Sequence, residues 1–235
     1  MQRKLLAAAV AAALLAAGAY LFFRRGAPAP EPSPAVAAPP PAPPAPPPDA
    51  PLPPAAESDA RVRSLFSALS PRPELQQWLA APDLLERGAA LIDNLDEDVS
   101  PRKQVPFLAP SGPYQPHRYE RYDLFADVVA SVDARALAGA LRTLHPLLEA
   151  AYHRLGYPDR TLDAVLARAL QRIVDAPLPA TEPAVQPYRQ VYVYADPKLE
   201  ALGPVEKHLL RLGPRNERLV QDKARALQAA LRPAP

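Results

Sequence analysis

The chain has 235 residues, enough for one or two ordinary domains, with 34 prolines, 49% hydrophobic residues and only 6% aromatics. It contains no cysteine, which excludes disulfide scaffolds, thiolate zinc sites and a cysteine nucleophile. The formal charge of +2 comes from the amino-terminal part: with Arg3, Lys4, Arg24, Arg25, Glu31 and Asp49 set aside, 23 basic and 23 acidic residues remain from Glu57 onward. A nucleic-acid binder carries a basic footprint, and this region has none.

Leu5 to Phe23 carries no charge. As a helix it spans roughly 28 Å, close to the hydrocarbon thickness of a bilayer and longer than the apolar part of a signal peptide. Tyr20, Phe22 and Phe23, followed by Arg24 and Arg25, read as an interfacial aromatic belt with snorkelling cations. Arg3 and Lys4 flank the other end. Counted with the amino terminus, they outnumber Arg24 and Arg25, so the positive-inside rule favours a short cytoplasmic tail over residues 1–4. The expectation is an uncleaved single-pass helix over 5–23, in a bacterial inner membrane, with the rest of the chain facing the periplasm. Ala17-Gly18-Ala19 fits a small-x-small cleavage site, and cleavage there gives a secreted binding protein instead.

Residues 24–56 form a Pro/Ala-rich linker, with 15 prolines between Gly26 and Ala56. Proline fixes φ and lacks an N–H, so helix and sheet are both excluded. A polyproline II rod of this length reaches roughly 96 Å fully extended. It reads as a spacer that holds residues 57–235 away from the bilayer, or as a disordered linker set by composition alone.

From Glu57 onward the apolar spacing is helical almost throughout. Val62, Leu65, Phe66 and Leu69 form a stripe, with Ser58 as a plausible N-cap. Pro73 opens a short helix carrying Leu75, Trp78 and Leu79. Pro82 opens another, whose core side reads Leu84, Gly88, Leu91 and Leu95. Val99 to Tyr119 holds five prolines and reads as a long loop. Phe125, Val128, Val129 and Val132 resume the helical stripe.

Asp133 caps the next helix, with Leu137, Leu141, Leu144, Leu148, Ala151 and Leu155 on its core side, a break or kink near Pro146, and Gly156 at its end. Asp159 or Thr161 starts a helix with Leu162, Val165, Leu166, Ala169, Leu170 and Ile173 inward. YRQVYVY, Tyr188 to Tyr194, reads as one strand, with Gln104 to Leu108 as its partner. Gly203-Pro204 and Gly213-Pro214 bracket one helix, and a last helix runs from Pro214 to about Leu231. The fold class is therefore mainly α: a compact helical domain with one small two-stranded β element.

RYDLFADVVASVDA (121–134), HPLLEAAYHRLGYPD (145–159), YADPKLEALGPVEKHLLRLGPRN (194–216) and ALIDNLDEDVSPRKQVPF (90–107) resemble the bacterial family described as domain of unknown function 3014. The resemblance covers most of Glu57 to Leu231. It implies a membrane-anchored, envelope-facing, mostly helical domain behind a proline-rich connection. It implies no catalytic residue, because the family has no established activity. The family usually has tyrosine where this chain has His145.

Several residue groups invite a chemical reading. His145, Glu149 and His153 share one helix face, where imidazole and carboxylate suit a metal. Arg142 lies on the same side, so the face reads as solvated and no metal is assigned. Asp93, Asp96, Glu97 and Asp98 fail the EF-hand pattern. Acids at a helix C-terminus oppose the helix dipole, so they call for a basic partner inside or outside the domain. No GxSxG and no glycine-rich phosphate loop occurs. Glu120, Asp123 and Asp127 are the acids best placed for a two-carboxylate glycosidase.

Tyr114, Tyr119, Tyr122, Tyr188, Tyr192 and Tyr194 bracket the long loop and line the strand; they form the candidate interaction surface or, alternatively, a cluster packed at the rim of the core. No cofactor and no nucleic acid is expected; the expected partners are the membrane and another cell-envelope protein. The reading is a non-catalytic tethered interaction or scaffold module, with an envelope hydrolase acting on a polymer such as peptidoglycan as the alternative.

Overall fold

Proline placement and borrowed caps decide where the helices start. The computed structural model describes residues 52–105, 115–189 and 191–232. Leu5 to Phe23, with its flanks Arg3, Lys4, Arg24 and Arg25, lies outside the described residues. Among the described residues, no helix is long and apolar enough to cross a membrane.

Helix α1, Ala55–Phe66, begins directly after Pro54 rather than at Glu57. Ser58 is not its N-cap. It lies inside the first turn, 1% exposed, and its hydroxyl donates back to the Ala55 carbonyl at 3.0 Å. Asp59 and Arg63, one turn apart, instead serve the next two helices, α2 (Pro73–Leu79) and α3 (Leu84–Asp96). The Asp59 carboxylate accepts from the backbone N–H of Asp83 at 3.1 Å and of Leu84 at 2.7 Å. Arg63 donates to the carbonyls of Leu79 at 2.8 Å and Ala81 at 2.9 Å. Orphan groups at both ends of the α2–α3 turn are thus satisfied from α1. Pro82 does not open α3: Asp83 takes a left-handed φ of 58° and the helix starts after it.

The buried side of α3 is also rotated by one residue from the expected stripe. Leu85, Ala89, Ile92 and Asp96 are buried, whereas Leu84, Gly88, Leu91 and Leu95 are only half-buried. The carboxylate of Asp96 belongs to the inward face, which hydrophobic patterning cannot register.

Within the long loop, Pro101–Lys103 makes one 3-10 turn. Another, Tyr119–Tyr122, leads into α4, Asp123–Ser131. Helix α5, Ala134–His153, is capped by Asp133, which accepts from Ala136 N–H at 2.7 Å. It runs unbroken through Pro146, which forfeits the bond to the Arg142 carbonyl. Gly156, at φ +108°, turns the chain after it. Leu155, expected in the core, lies beyond the helix end and is 40% exposed. Thr161 caps α6, Leu162–Asp175.

Tyr188 to Tyr194 is not one strand. It is the end of β1 (Val185–Tyr188), a turn, and β2 (Val191–Tyr194), paired antiparallel with Val185 opposite Tyr194 and Tyr188 opposite Val191. Gln104 and Val105 are not its partners; 106–108 lie outside the described residues. Arg189 takes a left-handed φ of 54° to make the turn. Helices α7 (Pro197–Glu200), α8 (Pro204–Leu212) and α9 (Pro214–Leu231) close the chain. Each has proline in its first turn, where the missing N–H has no intrahelical use.

Helix α3 packs on α1, α5 and α6, and α9 packs on α4, α5, α6 and α8. The largest core cluster joins Val62, Leu85, Ile92, Leu144, Leu148, Tyr152, Leu162 and Val165. Leu85, Leu144, Leu162 and Val165 are each at most 2% exposed, and burying each contributes roughly 1.5–3 kcal/mol. Ala138, Leu170, Ala224 and Leu227 make a second cluster, where alanines bring α5 and α9 together.

Candidate functional site

The acids at the end of α3 find their basic partner inside the domain. Asp96, with its side chain 4% exposed, receives Arg168 Nε at 2.8 Å and Nη2 at 2.7 Å, and Arg160 Nη2 at 2.8 Å. Arg160 also reaches Glu97 at 2.6 Å, and Arg172 donates to the Asp96 backbone carbonyl at 3.0 Å. These bonds raise the Arg160 and Arg168 pKa values: the bond to Glu97 leads for Arg160, the bonds to Asp96 for Arg168. Three arginines therefore offset what would otherwise be four carboxylates at the negative end of a helix.

Asp98 extends the network to α8. Its carboxylate accepts from Val205 N–H at 3.0 Å, and it occupies the space that a Cβ at Gly203 would need. Arg160 lies 5.1 Å over the ring of Tyr157, which stacks on the fully buried Tyr152 with centroids 5.5 Å apart. Burial, with Glu97 beside it, raises the Asp93 carboxyl against the pull of Arg160.

The His145–Glu149–His153 face is less solvated than its pattern suggests. Glu149 accepts from Leu162 N–H at 2.9 Å and so caps α6 from α5. His153 lies 3.2 Å from Glu149 and 3.1 Å from the Arg160 carbonyl, with its side chain 13% exposed. His145 lies 3.1 Å from Asp163. Among the described residues, no group of three or more such side chains is arranged to hold a metal ion.

The acids considered for glycosidase chemistry are engaged with neighbours. Glu120 pairs with Arg118 at 2.9 Å, and Asp127 pairs with Arg215 at 2.6 Å and Arg72 at 3.6 Å. Asp123 accepts from the buried Asn216 at 2.9 Å. An open groove between the start of α5 and the end of α9 is lined mainly by Ala134, Ala226, Ala229 and Ala230. Its one carboxylate, Asp133, is already a helix cap.

The six tyrosines do not form one patch. Tyr114 lies outside the described residues. Tyr119 braces the α8–α9 corner: its ring fills the place of a Cβ at Gly213, and its carbonyl accepts from Asn216 at 3.1 Å. Gly213, at φ +84°, is required on both counts. Tyr122 packs on Ala176, Val205, Leu209 and Leu212, and Tyr194 is 7% exposed at the base of the hairpin. Of the five that are described, Tyr188 and Tyr192 are the exposed ones, at 56% and 43%, beside Val191 at 58%. His117 ties the loop before Tyr119 to Glu182, ahead of β1, at 2.6 Å. The hairpin's main packing is on α7.

Two features escaped sequence reasoning. The Asp96–arginine network joins residues more than sixty positions apart, so no local pattern announces it. Buried Glu217, 1% exposed with Oε1 unpartnered, sits among the polar residues of α9. Burial pushes its pKa up to about 8.

A family model described as "Protein of unknown function (DUF3014)" matches residues 84–228. Neither the curated proteins nor the solved structures compared with the chain include a match.

Proposed function

We propose, from the premise that this chain belongs to the DUF3014 family of proteins of unknown function, that it is a membrane-tethered, non-catalytic interaction module of the bacterial cell envelope. Leu5 to Phe23 is the single membrane helix, the proline tract is the spacer, and the helical domain faces the periplasm. The observation that carries the reading is the β1–β2 hairpin, which leaves Tyr188, Val191 and Tyr192 exposed together. An aromatic side chain has about 150–250 Å² to bury, so Tyr188 with Val191 leaves roughly 200 Å² of side chain in water on one face of the hairpin and Tyr192 roughly 100 Å² on the other. Tyrosine is enriched at protein interfaces, where it offers contact area and a hydroxyl together. The pairing of Glu120 and Asp127 with arginines and the bond from Asn216 to Asp123 support the non-catalytic part of the reading, and the partner assigned is another envelope protein.

The test is crosslinking of the full-length protein in its own cells, followed by purification from membranes and identification of what accompanies it. A stoichiometric envelope protein, lost when Tyr188, Val191 and Tyr192 are all changed to serine, is the expected result. Recovery of polymer fragments without a protein overturns the reading in favour of the hydrolase. Absence of the chain from membranes overturns the tether.

A further inference from the structure

Resting on that reading, we infer that the hairpin binds by inserting its tip into a pocket with apolar walls and a carboxylate at its floor, on a folded envelope protein, and does not bind by strand addition. The first support is the backbone. The Ala195 N–H bonds the Ala184 carbonyl at 2.9 Å. Alternation along an antiparallel pair then makes Gln186–Val193 and Tyr188–Val191 the hydrogen-bonded pairs. The outward backbone groups belong to Val185 and Pro187 on one edge, and to Tyr192 and Tyr194 on the other. Pro187 has no N–H to offer, and the Tyr194 N–H is already given to Glu200 Oε2 at 2.9 Å. Both edges are blunted in the ways that native sheets use against strand pairing.

The second support is the arrangement of side chains. Tyr188 and Val191 share one face of the hairpin, and Pro187 and Tyr192 share the other. Exposed apolar surface on both faces suits an enclosing cavity better than a flat wall. Arg189 stands at the apex, its guanidinium 5.5 Å from the Tyr188 ring, and it is the only charge between Glu182 and Asp196. A lone apical cation on an apolar stem calls for an anion at the end of an apolar recess. The same order argues against a bilayer, where the leading end would be apolar and the cation would trail at the headgroups.

The experiment places photo-reactive p-benzoylphenylalanine at Val191, or separately at Ala226 in the alanine-lined groove, in the full-length protein in its own cells. Support is a protein adduct from position 191 that maps beside an Asp, a Glu or a chain carboxyl terminus. Its yield should fall about tenfold or more with Arg189→Glu and hold with Arg189→Lys. Circular dichroism and Trp78 fluorescence of the purified variants should match the parent. An adduct indifferent to Arg189→Glu but increased by Pro187→Val means strand addition, which overturns the inference and leaves the hairpin reading standing. An adduct to lipid or glycan overturns the protein pocket. An adduct from Ala226 with none from Val191 overturns the hairpin reading itself.

Discussion

Replacing Asp96 with asparagine tests the charged network that joins α3 to α6. The carboxylate is 4% exposed and accepts three bonds of 2.7–2.8 Å from two arginines. Asparagine keeps the volume, removes the charge and turns a donor toward the guanidinium groups. Breaking a buried ion pair from one side typically costs 3–5 kcal/mol. The arginines are not trapped, however: Arg168 is 52% and Arg160 33% exposed, so both rehydrate. The expected loss for Asp96→Asn is therefore about 3 kcal/mol, at the low end. Arg168→Ala should cost only about 1 kcal/mol, because half its side chain is already in water and Asp96 keeps Arg160. The double variant should lose less than the sum, since the two residues share bonds. Trp78, the single tryptophan, packs against Phe125 with ring centroids 5.6 Å apart and reports unfolding. Guanidinium titration of the full-length protein followed by its emission gives all three values. Equal losses for the two single variants, or a loss below about 1 kcal/mol for Asp96→Asn, refute the assignment of Asp96 as the hub.

Buried Glu217 and half-buried His208 of α8 should shape the pH dependence of stability in opposite directions. Burial raises Glu217 from 4.5 to about 8, so its contribution is full below pH 4.5 and is lost as pH rises through about 8. Burial chiefly, with Arg211 and Arg102 nearby, lowers His208 from 6.5 to about 4, so its contribution is present above pH 6.5 and is lost as pH falls through about 4. Melting curves should therefore peak near pH 5–6; Glu217→Gln should flatten the alkaline side and His208→Gln the acid side. Gly203→Ala should cost roughly 1–3 kcal/mol, because its Cβ displaces the Asp98 carboxylate from the start of α8; Asp98→Ala should recover part of that loss in the double variant. Changing Tyr188, Val191 and Tyr192 together to serine should leave the unfolding free energy from guanidinium titration within about 0.5 kcal/mol of the parent, because all three are exposed.

The helices were legible wherever the signal was local. Pro73, Pro204 and Pro214 mark starts, Asp133 and Thr161 cap their own helices, the inward side of α6 follows the apolar spacing, and that of α5 does so at Leu144, Leu148 and Ala151 but not at Leu155. What was not legible came from elsewhere in the chain. Asp59 caps α3 from α1, which moved its start from Pro82 to Leu84. Asp96 takes an inward position because arginines of α6 and the preceding turn meet it there, which rotated the expected stripe. The hairpin was hidden because its turn begins at Arg189 rather than with Asn-Gly. A left-handed arginine gives no turn signal in sequence, so two strands read as one and borrowed a false partner. The tyrosines were rightly seen as amphipathic, but pattern alone does not separate the bracing of Tyr119 and Tyr122 from the exposure of Tyr188 and Tyr192.

The most direct test of the central claim is amide hydrogen exchange of the full-length protein in membranes from its own cells, compared with the same protein purified. The account expects the amides of Val191 to Tyr194 to exchange more slowly in the native membranes, with α3 and α6 unchanged. Equal exchange of the hairpin in both preparations, alongside new protection on another surface, would contradict it.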